Sequence, residues 1–369
     1  MAIPVVKFNN KDNPEFSKTL RKRVNSYFKD NNISKYANWN MKFKTVFMIC
    51  LYFVPMILMN TGIISSTGGV FALWILMGLG MSGIGLSVMH DANHGSYSKN
   101  KKVNHYLGSL IHFISGSREN WKIQHNVLHH SFTNIEGLDE DIETAVMRLA
   151  PNQDRKSIHK YQAYYAPFAY GIMTMYWAIS KDFEGIKKYK EKGLLERQGL
   201  DYKKLKRQLI INKTWYFALT LVLPLLVVNL PWYTIVGGFV AMHFISGLIL
   251  ALIFQTAHSI EETEHFIADQ GSMENSRMIH QLKTTANFAN DNPIFTWLVG
   301  GLNHQIEHHL FPNICHIHYP KIAKIVESTA KEFGIPYHNH HTWGQALYSH
   351  FSLLNQLGTG KYDKKLAIS

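Results

Sequence analysis

Three short stretches of the chain hold histidines at spacings that suit metal coordination. HDANH carries His90 and His94, HNVLHH carries His125, His129 and His130, and HQIEHH carries His304, His308 and His309. Residues at i and i+4 share one helix face, so two such imidazoles reach one ion. A further histidine at i+5 lies about 100° further round and reaches a neighbouring ion. His258 ends the stretch FQTAH and joins the set. Nine ring nitrogens overfill one tetrahedral site; they suit two ions with positions left open. Neither cysteine, Cys50 nor Cys315, falls in the set, which argues against iron–sulfur clusters and structural zinc. All-nitrogen ligation with open positions points to iron that handles dioxygen, while spacing alone leaves zinc and copper open. Asp91 and Glu307, lodged between ligands, are read equally as holders of imidazole tautomers or as plain acids. The acidic run 139–141 reads as a solvated loop. His105, His112, His316, His318, His338, His340 and His341 lack the repeated spacing and read as non-ligands. His243 reads as a hydrogen-bonded helix contact.

Elements that could carry these clusters follow from the charge pattern. Of 369 residues, 38 are Lys or Arg and 26 Asp or Glu, a net charge of +12, yet residues 45–90 and 214–260 contain none of the four. A helical span needs about 20 apolar residues; each block is roughly twice that and has a polar break. Lipid tolerates no unsatisfied backbone, so each block reads as a helical hairpin, with spans at about 45–63, 70–89, 215–236 and 238–257 and a break at Pro231. The expected fold is therefore an all-α membrane protein: four transmembrane helices as two hairpins, with a cytoplasmic helical cap holding a di-metal histidine site. Residues 1–44 form a basic N-terminal segment, 45–357 the catalytic domain and 358–369 a C-terminal tail. Gly78, Gly80, Gly83 and Gly85 on the second span signal close helix packing.

The predicted turns contain no Lys or Arg, and with an even number of spans the basic segments share one side, so the cap and both termini are expected in the cytoplasm. Two cysteines give no disulfide framework, in keeping with a reducing compartment. Residues 1–44 have no apolar signal core. The aromatic stretch 161–180, broken by Pro167 and Gly171, reads as lying in the membrane interface rather than as a fifth span. The basic stretch 181–213 reads as a solvated helix pair or as a surface against anionic headgroups. The composition excludes disorder and makes a simple soluble enzyme a poor fit. A basic cap tied to a membrane, without a recognisable binding motif, also argues against nucleic-acid binding.

HDANH at the end of a span, HNVLHH and GLNHQIEHHLFP together resemble the three histidine boxes of the membrane fatty-acid desaturases, and the QIEHH form resembles their front-end, linoleoyl-CoA-desaturase-like branch. The resemblance covers roughly residues 45–357. It implies a centre of two iron ions on nine histidines, with His258 in the place of the ligand that follows the fourth span. The family's third-box position falls on Gln305, whereas His304 matches the H-x3-HH spacing of HNVLHH. His304 is taken as the ligand and Gln305 as a weak ligand or neighbour. Residues 1–44 are too short for a fused cytochrome b5 domain and lack His-Pro-Gly-Gly. A separate electron donor, ferredoxin or cytochrome b5-like, with its reductase, is therefore expected.

Acid–base side chains cannot remove hydrogens from an unactivated methylene; a metal cofactor with O2 supplies that chemistry. The resemblance implies a cis double bond inserted into a fatty acyl chain, carried by CoA or by a lipid. A membrane di-iron hydroxylase shares the boxes. A metal transporter needs polar groups along the bilayer midplane, where His243 is the lone candidate. A haem protein with paired axial histidines would announce itself by a Soret band.

Overall fold

The computed structural model describes residues 6–268 and 271–366; residues 1–5 of the basic N-terminal segment and 367–369 of the C-terminal tail lie outside the described residues. Among the described residues, four helices are long and apolar enough to cross a bilayer: Trp39–Asn60, Thr67–His94, Tyr202–Val227 and Trp232–His258. They fall where the charge-free blocks lie, but their ends differ from the expected limits. The first helix starts six residues before 45, because nothing in Trp39–Lys44 stops a helix. The third ends at Val227 and the fourth starts at Trp232. The junction is therefore at 228–231 and not at 236–238: Pro231 cannot continue a helix ladder, so the turn forms around it.

The described helices group into two compact units. One comprises residues 39–123 and 167–251; the other comprises residues 6–38, 124–166, 252–268 and 271–366. In the first unit Thr67–His94 touches its hairpin partner Trp39–Asn60 and, across the hairpins, Trp232–His258 backbone to backbone. A Cβ on Gly80 would stand 2.6 Å from the Tyr52 nitrogen, and one on Gly78 would stand 2.9 Å from the Met242 carbonyl oxygen. Those two glycines do the packing work their sequence pattern suggests. The stretch 161–180 does not form a fifth long helix. It breaks at Ile172 into Gln162–Gly171 and Met173–Tyr176, and leaves Tyr161, Tyr164, Phe168, Tyr176 and Ile179 exposed.

The end of the basic stretch 181–213 is not solvated. Lys213 is buried, and its Nζ donates to Asp182 and to the carbonyls of Ser115 and Trp177, each at 2.8 Å. The carboxylate of Asp182 also accepts from Asn120 at 3.1 Å and Trp177 Nε1 at 3.2 Å. A buried charge survives only with partners on every side, and this pair has them.

The second unit is built on a shared apolar core from four helices: Pro14–Asp30, Arg277–Thr284, Gln305–Leu310 and Tyr319–Glu332. Phe16, Leu20 and Val24 of the first meet Met278, Ile279 and Leu282 of the second and Ile306 of the third. Each such side chain contributes roughly 1.5–3 kcal/mol by leaving water. Two short parallel strand pairs, Lys7–Phe8 with Ser272–Met273 and Ala286–Phe288 with His338–His340, brace the helices.

Candidate metal centre

The helix that carries HDANH changes pitch just before it. Ile84–Val88 is a π-helical turn, after which Met89–His94 is α-helical and Gly95 closes the end at φ 75°. π turns inside α-helices concentrate at functional sites. In this first unit the rings of His90 and His94 stand 4.7 Å apart, and each packs edge-on against Trp121, at 5.4 and 5.6 Å. Between them, Asn93 accepts from Arg118 Nε at 3.0 Å and donates to the Gly108 carbonyl at 3.2 Å, so the box is pinned from its polar side. Asp91 is buried.

The second box also lies on a π-helix, Lys122–His129. Backbone bonds there run from i to i+5, so the fifth residue returns nearly over the first. That corrects the expected geometry: His130 does not swing away from His125, and their Nε2 atoms are 3.2 Å apart. His130 Nε2 lies 2.9 Å from His308 Nε2. With metal–nitrogen bonds of about 2.0–2.2 Å, adjacent ligand nitrogens stand about 2.9–3.4 Å apart, a spacing that these two separations match.

Five histidines of the second unit converge, in two groups that share His309. The ring nitrogens of His129, His258 and His309 lie within 4.8 Å of one another, as do those of His130, His308 and His309. In the first group every Nδ1 is committed. His129 donates to Asp139 at 3.1 Å, His258 to the Thr284 carbonyl at 3.2 Å and His309 to Gln281 Oε1 at 2.8 Å. Gln281 is itself oriented by Nε2 donating to the His130 carbonyl at 3.2 Å. A protonated Nδ1 leaves Nε2 with a lone pair, which is the tautomer a metal needs. His258 Nε2 is buried and completes no hydrogen bond, a costly arrangement unless another group uses it. His308 Nδ1 meets the Tyr319 hydroxyl at 3.3 Å.

Asp139 corrects the reading of run 139–141 as solvated. It is fully buried, and its carboxylate also accepts from the Asn134 and Asp141 backbone nitrogens at 2.9 and 3.0 Å. Burial works against a charge on His129, but the Asp139 and Asp141 carboxylates outweigh it and lift its pKa to about 9. The D-x-D spacing ten residues after His129 was the only trace of this partnership in the sequence. Gln281, Thr284 and Tyr319 left none, because they arrive from distant elements.

His304 is set apart from both groups. It is buried, precedes the helix Gln305–Leu310, and neither ring nitrogen has a hydrogen bond; the nearest acid, Glu307, is 3.8 Å away. Burial holds it neutral, with its pKa lowered to about 3. Gln305, also fully buried, lies beside His258 without completing a hydrogen bond. Glu307 orients neither cluster ring: it accepts from Asn287 at 2.8 Å and Tyr337 at 3.1 Å, and burial lifts its pKa to about 7 against those bonds. His243, in the first unit, is buried with both ring nitrogens engaged, by the Tyr216 hydroxyl at 2.9 Å and Thr174 Oγ1 at 3.1 Å.

Four long apolar helices and clustered, tautomer-fixed histidines define a membrane protein with sites fit for metal. Residues 66–341 match the family model described as fatty acid desaturase. The chain is 35% identical over 366 residues to the sn-1 linoleoyl-lipid 6-desaturase of Arthrospira platensis, covering 95% of each chain. It is 31% identical over 348 residues to the protein of the same name from Synechocystis, covering 93% of this chain and 95% of the relative. It is 33% identical over 358 residues to the acyl-lipid (8-3)-desaturase of Physcomitrium patens, covering 95% of this chain and 73% of the relative. The chain belongs to the fatty acid desaturase family. It is an oxidoreductase of fatty acids in a membrane.

Proposed function

We propose that this protein is an O2-dependent, front-end acyl desaturase that inserts a cis double bond into a lipid-linked fatty acyl chain at a centre of two iron ions. The observation that carries the reading is the group His129, His258 and His309, whose Nδ1 atoms are all spoken for while their ligating nitrogens converge. His125, His130 and His308 would hold the second position, and His90 and His94 join the set on the strength of their motif. The ninth position falls to His304 or Gln305, and the contact with His258 favours Gln305.

Bound iron would supply the oxidising power that no side chain has. The balance is one CH2–CH2 pair, O2, two electrons and two protons giving CH=CH and two waters. The chain's own work is positional. Asp139, Thr284 and Gln281 fix ring orientation, and the apolar helices hold the acyl chain out of water. A lipid-linked rather than CoA-linked substrate is in keeping with the relatives, a linoleoyl-lipid and an acyl-lipid desaturase. The absence of Lys and Arg from both predicted turns supports a cytoplasmic cap and termini, where a separate ferredoxin or cytochrome b5-like donor and its reductase would deliver electrons.

Expression in a host of known fatty-acid profile, with mass spectrometry of double-bond positions, tests this. New unsaturation that disappears in His308→Ala, with two irons per purified chain, is the expected result. Turnover retained in His308→Ala would sink the ligand assignment, and a hydroxylated product would replace desaturation with hydroxylation.

A further inference from the structure

The helix Pro14–Asp30 covers the helices that carry Arg277, Gln281, His308 and His309. Its apolar face is spent on that core. Its outer face is basic: Lys18, Arg21 and Lys22 are exposed. Two bases of this helix have acid partners, Lys18 with Glu15 at 3.6 Å and Arg23 with Glu332 at 2.7 Å. Arg21 and Lys22 have no ion pair among the described residues. Burial first, and the charge of Arg21 after it, disfavour the charged form of Arg277, and Arg277 likewise has no acid partner among the described residues. Its guanidinium donates instead to the backbone carbonyl of His130 at 3.3 Å.

We propose that Arg21, Lys22 and Arg277 form the docking surface for a small acidic one-electron carrier protein, with Arg277 linking that surface to His130. The inference rests on the desaturase reading and names the face of its electron donor. Unpaired neighbouring guanidiniums raise the local potential; an acidic partner relieves it and is steered in faster by it. From the Arg277 guanidinium to His130 the route is one hydrogen bond and a few covalent bonds, a short path for an electron.

The competing occupant is a surface of anionic lipid headgroups, and the apolar side chains decide against it. A helix that lies in a membrane interface keeps an apolar face free for lipid. This one buries Phe16, Leu20 and Val24 at 0–1% exposure, and none of its residues is an exposed large hydrophobic. The helix Tyr202–Phe217 is the contrast: Ile210 and Ile211 are 50% and 55% exposed beside Lys206 and Arg207, the pattern that suits lipid.

The test uses the full chain in lipid nanodiscs with a soluble acidic [2Fe–2S] ferredoxin as the probe. In Arg21→Glu/Lys22→Glu the KM for ferredoxin should rise about tenfold or more, with kcat at saturating ferredoxin nearly unchanged, and the salt dependence of KM should flatten. Carbodiimide crosslinks from ferredoxin carboxylates should map to Lys18 and Lys22 in the unmodified protein, a readout that needs neither turnover nor a folded variant. An unchanged KM, crosslinks confined to the 181–213 stretch, or a variant that loses binding to anionic vesicles while its KM for ferredoxin stays the same would overturn the proposal. Crosslinking at Lys22 in a protein that makes no double bond with any donor would instead leave the docking face standing and sink the desaturase reading.

Discussion

His243 and His258 lie on the same helix, fifteen residues apart, both buried, and they have opposite chemistry. His243 has both nitrogens engaged by Tyr216 and Thr174, so it has nothing left to give an ion. His258 gives only Nδ1, to the Thr284 carbonyl, and its Nε2 converges with nitrogens of His129 and His309. The difference teaches that burial does not mark a ligand histidine, nor does membrane depth. What marks it is one nitrogen fixed by an acceptor while the other is left over among its like.

The sharpest way to break this contrast is His258→Ala beside His243→Asn. The first should lower product by about a hundredfold or more and remove metal from the purified protein, read by mass spectrometry of the fatty acids and by elemental analysis; the second should leave metal content intact. Loss of metal in His243→Asn would mean that engaged nitrogens do not exclude a ligand. Next in size is Asp139→Asn, which keeps the shape but weakens the hold on His129 Nδ1. Metal affinity or activity should fall about 10–100-fold, measured by competition with a chelator. Gln305→Ala should cost more metal than His304→Ala, by several-fold, since Gln305 lies beside His258 and His304 stands outside both groups; the reverse order would return the ninth position to His304.

A smaller effect, on stability rather than chemistry, is expected for His243→Phe. It strands the Tyr216 and Thr174 hydroxyls in a buried place, and should cost on the order of 1–3 kcal/mol in a denaturation midpoint while product formation persists. The smallest concerns His350, fully buried with Nδ1 on the Ser259 carbonyl at 2.6 Å. Burial lowers its pKa from 6.5 to about 4. The folded state therefore prefers the neutral ring, and its contribution is complete above pH 6.5 and is lost as pH falls towards 4. In His350→Gln, the drop in unfolding midpoint between pH 7 and pH 5 should shrink; an unchanged drop would show that this ring carries no acid sensitivity.

Much of the molecule was legible before any coordinates. Runs without charge are a one-dimensional signal, so the four spans and the break at Pro231 could be read directly. The spacing of four and then one located His129, His130, His308 and His309. The helix limits were less legible, because a helix continues past an apolar boundary until a turn residue stops it, as the starts of Trp39–Asn60 and Tyr202–Val227 show. The role of Asp139 was misread because an acid in a loop looks solvated until its partners are known.

Residue type and local spacing determined that this chain enters a membrane and carries clustered imidazoles, since both properties depend on neighbours within a few residues. Only the tertiary structure decided which nitrogen of each ring is left over. That choice is made by acceptors from far along the chain, Thr284 for His258 and Gln281 for His309, and by a π-helical winding that returns His130 over His125. Hydrogen bonding and pitch are properties of the packed chain, and no order of letters states them.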